Sequence, residues 1–306
     1  MPHTPTPVSH PLTQFTPHHD FFIGIDSDGC AIDQMTIKHY ECFAPAYIKA
    51  FDLQPISTIA RETALFVNLF SQTRGINRWA SIDRFFELLK KRPEVIESGI
   101  QLPVGEDLKQ FLNSGMPLSE SGITTWLEQH PSAEIEQCIT WGKIVNELVA
   151  WMVHNTQPFP GVRNALEAMG ENADTMVVSA ASLDMLHREW DEHDLAKYVH
   201  VIAGQEWGTK SQHIELFAKG RYRDDHILLI GDAPGDGKAA AEQGVLWYPI
   251  LPGDEARSWE RFTREALPRF FAEEYAGEYQ HSLIEQYSSL LPSAAPWATI
   301  DNDRAS

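Results

Sequence analysis

Phe21-Phe22-Ile23-Gly24-Ile25-Asp26-Ser27-Asp28-Gly29-Cys30-Ala31-Ile32-Asp33 is the stretch that decides how this chain is read. Its apolar first half has the make-up of a buried strand, and it stops abruptly at Asp26-Ser27-Asp28-Gly29. Two carboxylates therefore stand at a strand's C-terminal tip. In open α/β sheets that tip is where ligands bind, and a glycine just after it lets the backbone turn close to an anion. Taken alone, a D-x-D is weak evidence, because acidic residues after strands commonly serve as caps or solvated turns.

Segments downstream change that weighting. Thr175-Met176-Val177-Val178-Ser179 reads as a second buried strand ending in a hydroxyl, and Gly208-Thr209-Lys210 places a lysine at the opening of a helix. His226-Ile227-Leu228-Leu229-Ile230 then leads into Gly231-Asp232-Ala233-Pro234-Gly235-Asp236, a third strand that delivers two more carboxylates. This ordered set, Asp/Asp, Ser, Lys and Asp/Asp, resembles the motifs of the haloacid dehalogenase (HAD) superfamily from Phe21 to about Pro252. Each motif has a high false-positive rate by itself, and the order supplies the specificity.

Between Asp33 and His154 the pattern is helical, with expected helices at Gln34–Phe51, Ile56–Phe70, Ser81–Lys91, Glu106–Asn113, Leu118–Glu128 and Ala133–Val153. Ser81 and Ser119 are the expected N-caps. A helical block inserted here resembles the C1 cap of HAD phosphatases. After Gln157-Pro158-Phe159-Pro160-Gly161, strand and helix signals alternate as far as Ile250, the pattern of βαβ units and a parallel sheet. The expected fold is thus α/β, a Rossmann-like core with a parallel sheet flanked by helices plus an inserted all-helical cap. Its expected parts are a loose arm over 1–20, a core from 21–32 and 155–252, a cap over 33–154, and a C-terminal helical extension and tail over 253–306.

Composition narrows the function classes. The 306-residue chain is 43% hydrophobic and 22% charged, which suits a globular protein with a sizeable core. It lacks an apolar run of about 18 residues, so no membrane partner is expected. A formal charge of -19 argues against a nucleic-acid partner, whose phosphates reward clustered Lys and Arg. A bound cation and a few local basic groups can still reverse the sign of one pocket, so a phosphorylated small molecule is compatible with it. Cys30, Cys42 and Cys138 are too scattered for a disulfide framework or a zinc site, making a reducing cytoplasm the default location. The opening residues, Met1 to Asp20, do not look like a secretory leader.

The resemblance implies a phosphoryl-transfer site. In it Asp26 is the nucleophile that becomes an aspartyl-phosphate, and Asp28 is the acid and base for the leaving oxygen and the attacking water. Asp26, Asp28 through its backbone carbonyl, Asp232 and Asp236 would hold Mg²⁺, a hard ion that takes oxygen ligands. Lys210 would balance the acids and face the phosphate, which Ser179 and the amides near Gly29 and Ala180 would cradle. Cys30 stands where the family often has threonine, and nothing in its neighbourhood signals a reactive thiolate. Gln72-Thr73-Arg74-Gly75-Ile76-Asn77-Arg78 looks like the specificity loop of the β-phosphoglucomutase-like branch, with Arg78 as its arginine. Arg74 and Lys38 are further substrate candidates. Lys38 and His39 are expected on an exposed helix face.

The implied activity is an Mg²⁺-dependent phosphatase acting on a small phosphorylated metabolite such as a sugar phosphate. A phosphomutase sharing the same aspartyl-phosphate and a non-catalytic binder of phosphometabolites stand as the alternatives. Phosphonatases and dehalogenases typically lack the acid/base that Asp28 supplies.

Overall fold

The computed structural model describes residues 12, 15–103 and 105–297. Its sheet contains β1 (Phe21–Ile25), β2 (Ala173–Val178), β3 (Val201–Ala203), β4 (Ile227–Gly231) and β5 (Leu246–Pro249). All neighbours are parallel, in the order β3-β2-β1-β4-β5. Parallel strands covered on both faces need near-continuous apolar runs, and β1, β2 and β4 provide them. The chain builds outward from β1 to β2 and β3 on one side, then crosses to β4 and β5 on the other. That reversal makes the β1/β4 crevice a topological switch point. In register, Ile25 pairs with Ile230 of β4 and Val177 of β2, so Asp26, Ser179 and Asp232 all leave the sheet at the same edge.

The chain forms two compact units, one of Met1–Asp33 and Gln157–Tyr287, the other of Gln34–Thr156 with Ser288 onward. Unit 2 is helical. Its first helix runs from α1 (Met35–Ile37) through a π-helical stretch, Lys38–Phe43, into α2 (Ala44–Ala50). α3 (Ser57–Asn68), α4 (Arg78–Leu89), α5 (Pro93–Ser98), α6 (Glu106–Leu112), α7 (Glu120–Gln129) and α8 (Ala133–Met152) follow. Their apolar faces meet around Tyr47, Trp79, Phe85, Phe111 and Trp141. Trp151 is 71% exposed and takes no part in that core.

Some local expectations give way here. Ser119 caps α7 through its hydroxyl, but α4 begins three residues before Ser81, capped by Asn77, whose side-chain oxygen accepts the Trp79 N–H. Ser81 lies inside the helix, where its hydroxyl meets Tyr47 Oη at 2.6 Å. α5 was not anticipated, because a six-residue helix opened by Pro93 and ended by left-handed Gly99 has too few positions to show a period.

In unit 1, α9 (Val162–Gly170), α10 (Leu183–Glu192), α11 (Lys210–Phe217) and α12 (Pro234–Gln243) flank the sheet. α13 (Glu255–Arg261), α14 (Leu267–Phe271) and α15 (Glu278–Leu290) follow it. Trp259, Phe262, Phe270 and Leu283 of this C-terminal run join the apolar core beneath β1. The extension expected over 253–306 is therefore shared: from Ser288 on the chain groups with unit 2, where Trp297 packs on Phe66 and under the Arg92 guanidinium.

Most of the arm expected over 1–20 lies outside the described residues. Residues 15–20 are fastened to unit 1. The His18 and His19 N–H groups donate to Asp174 Oδ2 at 2.9 and 3.1 Å, and the Phe15 ring lies 4.6 Å from that of Phe217.

Candidate functional site

Three buried carboxylates, those of Asp26, Asp232 and Asp236, offer oxygens within 4.8 Å of one another at the C-terminal edge of the sheet. Asp26 follows β1 directly, and its N–H donates to Ile230 O at 2.9 Å, tying the strand tip to β4. Asp232 follows β4. Asp236 sits in the first turn of α12, where its Oδ2 accepts the Ala233 N–H at 3.0 Å. That arrangement needs Gly231: a Cβ there would lie 2.2 Å from Asp236 Cγ, so the close approach of carboxylate to strand requires glycine.

Lys210, the first residue of α11, reaches across. Its Nζ lies 2.8 Å from Asp26 Oδ2 and 2.5 Å from Asp236 Oδ1. Thr209 and Gln212 form a capping box that fixes the start of α11 and so aims the lysine. Burial alone would discourage its charge, but Asp236 and Asp26 outweigh that and raise its pKa, keeping it protonated. Burial also raises the Asp26 pKa; Lys210 opposes the rise, and Asp236 and Asp232 add to it. Three buried acids stand beside one ammonium, and a donor set made only of carboxyl oxygens fits a hard divalent cation such as Mg²⁺.

Around this group the loop from Ser27 to Ile32 is closed by its own backbone. The Ala31 and Ile32 N–H groups both donate to Ser27 O, and Gly29, at φ 78°, donates its N–H to Ile32 O at 2.8 Å. The Gly29 amide is therefore not available to a phosphate, contrary to the sequence expectation. The turn satisfies it internally, as buried amides must be. Ser179 is buried after β2, and its Oγ accepts the Ala181 N–H at 3.1 Å, which leaves the hydroxyl proton to donate elsewhere; Ala180 is exposed. Asp28 is half-buried in the same loop. Cys30 is fully buried, and burial, with Asp26 next, drives its pKa well up, so it is an inert filler.

Contacts from far along the chain support the loop. Trp190 Nε1 donates to Ser27 Oγ at 2.9 Å, Trp259 Nε1 donates to Cys30 O at 2.8 Å, and Tyr287 Oη donates to Asp232 O at 3.0 Å. Sequence reasoning missed these residues, which lie up to 229 positions away and carry no local signal.

The substrate candidates all belong to unit 2. Arg78 is the first residue of α4 rather than part of a free turn, and its Nη1 donates to Asn146 Oδ1 at 2.8 Å. Arg74 is buried and donates to Leu69 O at 3.2 Å. Lys38 and His39 are 6% and 7% exposed, which overturns their expected place on a solvated face.

Among the described residues, two more acid and histidine groups, His18/Asp174/His200 and Asp225/His226/Glu273, lie near the N-terminal ends of the strands. In the first, His200 Nδ1 accepts the Thr175 N–H, so its proton sits on Nε2 facing Asp174, an arrangement that suits a hydrogen bond better than a metal. In the second, Arg223 already pairs with both carboxylates. No helix of the described residues is long and apolar enough to cross a membrane.

No family model matches the chain, and no curated protein does. Solved structures do. A putative phosphoglycolate phosphatase from Lactobacillus delbrueckii is 14% identical, with TM-score 0.47, over 80% of this chain and 92% of that one. β-Phosphoglucomutase from Clostridium difficile is 15% identical, with TM-score 0.47, over 82% and 97%. The putative HAD-hydrolase YfnB from Bacillus subtilis, solved bound to magnesium, is 12% identical, with TM-score 0.40, over 78% and 92%.

Proposed function

We propose that this protein is a HAD-type, Mg²⁺-dependent phosphatase that hydrolyses a small phosphorylated metabolite through an aspartyl-phosphate on Asp26. The observation that carries the reading is the Lys210 ammonium bonded to both Asp26 and Asp236, with Asp232 in the same buried group, at the switch point of a parallel sheet. A structural cluster of acids would be satisfied at the surface. Burying three of them around one lysine at a ligand-binding edge suits phosphoryl transfer.

Asp26, Asp232 and Asp236, with the Asp28 carbonyl, would hold the cation, which when bound supplies positive charge against the phosphoryl oxygens. The chain's own groups do the rest. The Asp26 carboxylate, its plane held by the Ser27 N–H on Oδ1 and Lys210 on Oδ2, attacks phosphorus in line. Asp28 gives a proton to the departing oxygen, then takes one from the water that cleaves the acyl-phosphate. Lys210 and the Ser179 hydroxyl stabilise the transferred group. A phosphomutase would use the same first step and return the phosphate to a sugar.

Incubating the purified protein and Mg²⁺ with a panel of phosphate monoesters, while following free phosphate and isomerised sugar phosphate, tests the reading. Phosphate release supports it. Isomer formation without release makes the protein a mutase, and silence in both channels, with ligand binding retained, makes it a binder.

A further inference from the structure

The acidic group of unit 1 is also held from a part of the chain that the strand-tip motifs do not reach. The peptide joining Asp232 to Ala233 is bonded at both of its polar ends. Its carbonyl accepts the Tyr287 hydroxyl at 3.0 Å, and its N–H donates to Asp236 Oδ2 at 3.0 Å. Asp236 Oδ1 in turn lies 2.5 Å from Lys210 Nζ, which lies 2.8 Å from Asp26 Oδ2. One run of bonds therefore leads from a phenol on α15, through that peptide and the Asp236 carboxylate, to the proposed nucleophile.

A peptide unit is planar, so fixing its carbonyl also fixes its N–H. Where the Asp232 carbonyl points thus sets the direction in which Asp236 is drawn and the backbone from which the Asp232 carboxylate projects. Hydrogen bonds in series polarise one another, so the bond at the carbonyl strengthens the one at the N–H.

The phenol is itself firmly placed. Tyr287 is 3% exposed, and its ring meets that of Trp247 edge-on at 5.0 Å. The Trp247 ring also lies against the first turn of α12, where a Cβ on Gly237 would stand 2.7 Å from it. Gln280 Oε1 accepts the Trp247 N–H at 3.1 Å, and Gln286 Oε1 accepts from Arg261 Nη1 at 2.7 Å, so α15 is pinned to β5 and to α13.

We propose that Tyr287 is a positioning residue: it orients the Asp232–Ala233 peptide, and through it the carboxylates of Asp232 and Asp236, so that the affinity of the site for Mg²⁺ depends on a helix outside the strand-tip motifs. All of these contacts lie within unit 1. The inference rests on the Mg²⁺-dependent phosphatase reading for the identity of the ion.

Titration calorimetry of Mg²⁺ into the full-length wild type, Tyr287→Phe and Tyr248→Phe provides the test. Tyr287→Phe keeps the ring on Trp247 and removes the hydroxyl. Tyr248→Phe is the matched control: it deletes another buried phenol-to-carbonyl bond, from Tyr248 Oη to Ser258 O at 2.6 Å, at the neighbouring residue of β5, whose side chain lies on the other face of the sheet. Tyr287→Phe should raise the Mg²⁺ dissociation constant roughly tenfold or more, the usual consequence of losing a group that orients a metal ligand, with circular dichroism unchanged. Tyr248→Phe should lower the melting temperature and leave Mg²⁺ affinity as in the wild type.

Amide exchange in the metal-free protein supplies a second readout, because the Ala233 N–H should exchange faster in Tyr287→Phe and not in Tyr248→Phe. Wild-type Mg²⁺ affinity in Tyr287→Phe, or an equal loss in Tyr248→Phe, overturns the proposal and leaves the phosphatase reading standing. If the wild type binds no Mg²⁺, the metal reading fails and takes the affinity claim with it, and unchanged Ala233 exchange would then remove the positioning role as well.

Discussion

The acidic group of unit 1 and the basic group of unit 2 both remove charge from water, and they differ in what carries them: two acids share one ammonium at the strand tips in the first, while the second is carried largely on a π-helical stretch. Around Asp26, Lys210 bonds both Asp26 and Asp236, and the Ala233 N–H donates to Asp236. Around His39, both amide atoms of Gln34 and one imidazole nitrogen are left without partners. The difference shows two ways of burying polar groups: opposite charges bonded to one another hold each other in place, whereas a buried polar atom without a partner costs stability.

The comparison breaks most easily at its preorganised side. Asp26→Asn should lower turnover by about 10⁴-fold or more if Asp26 is the nucleophile, while circular dichroism remains that of the wild type. Retention of full activity would put the nucleophile elsewhere. Because Asp26, Asp232 and Asp236 offer a set of carboxyl oxygens, Mg²⁺ should stabilise unit 1. At a hundredfold its dissociation constant the gain is about 2.7 kcal/mol, seen as a rise in melting temperature that chelator reverses and Asp232→Asn weakens. A melting curve indifferent to Mg²⁺ would remove the metal from the site.

Gly231→Ala probes geometry rather than charge. Its Cβ would press on Asp236 Cγ from 2.2 Å, and the repacking should destabilise by about 1–3 kcal/mol. Activity should fall as well, because Lys210 loses its placed partner. A variant with wild-type stability and activity would show that the close approach is dispensable.

The basic side is sharpened by pH. Burial, with Arg74 and Lys38, lowers the His39 pKa from 6.5 to about 3. The unfolded chain therefore binds a proton below 6.5 that the folded protein refuses. Stability falls as pH drops from 6.5 towards 3 and is unaffected above that window. Between pH 7 and pH 5 this amounts to about 2 kcal/mol, and His39→Gln should lose that part of the slope in urea unfolding. An unchanged slope would mean that the ring is protonated in the fold.

What could be read in advance follows the range of the forces involved. The β1 run and the acids after it were legible because apolar strands and the turns that end them are local features. The same holds for Ser179 after β2, Lys210 opening α11, and Asp232 and Asp236 around the start of α12. The Gly29 amide misled because its partner, Ile32 O, depends on how the turn closes. Lys38 and His39 misled because a charged residue on a helix is ordinarily solvated, and only the packing of α1 and its π turn buries them.

By itself the sequence determined an α/β chain with a helical insertion and the order of its strand-tip groups, since periodicity and turn chemistry act over a few residues. Tertiary structure alone decided that Lys210 bridges Asp26 and Asp236, and that Trp190, Trp259 and Tyr287 hold the loop backbones. It also decided that the Gln34 side-chain amide and His39 Nδ1 are buried without a hydrogen-bond partner. Those outcomes depend on segments far apart in the chain meeting where water is excluded, and no local pattern carries that information.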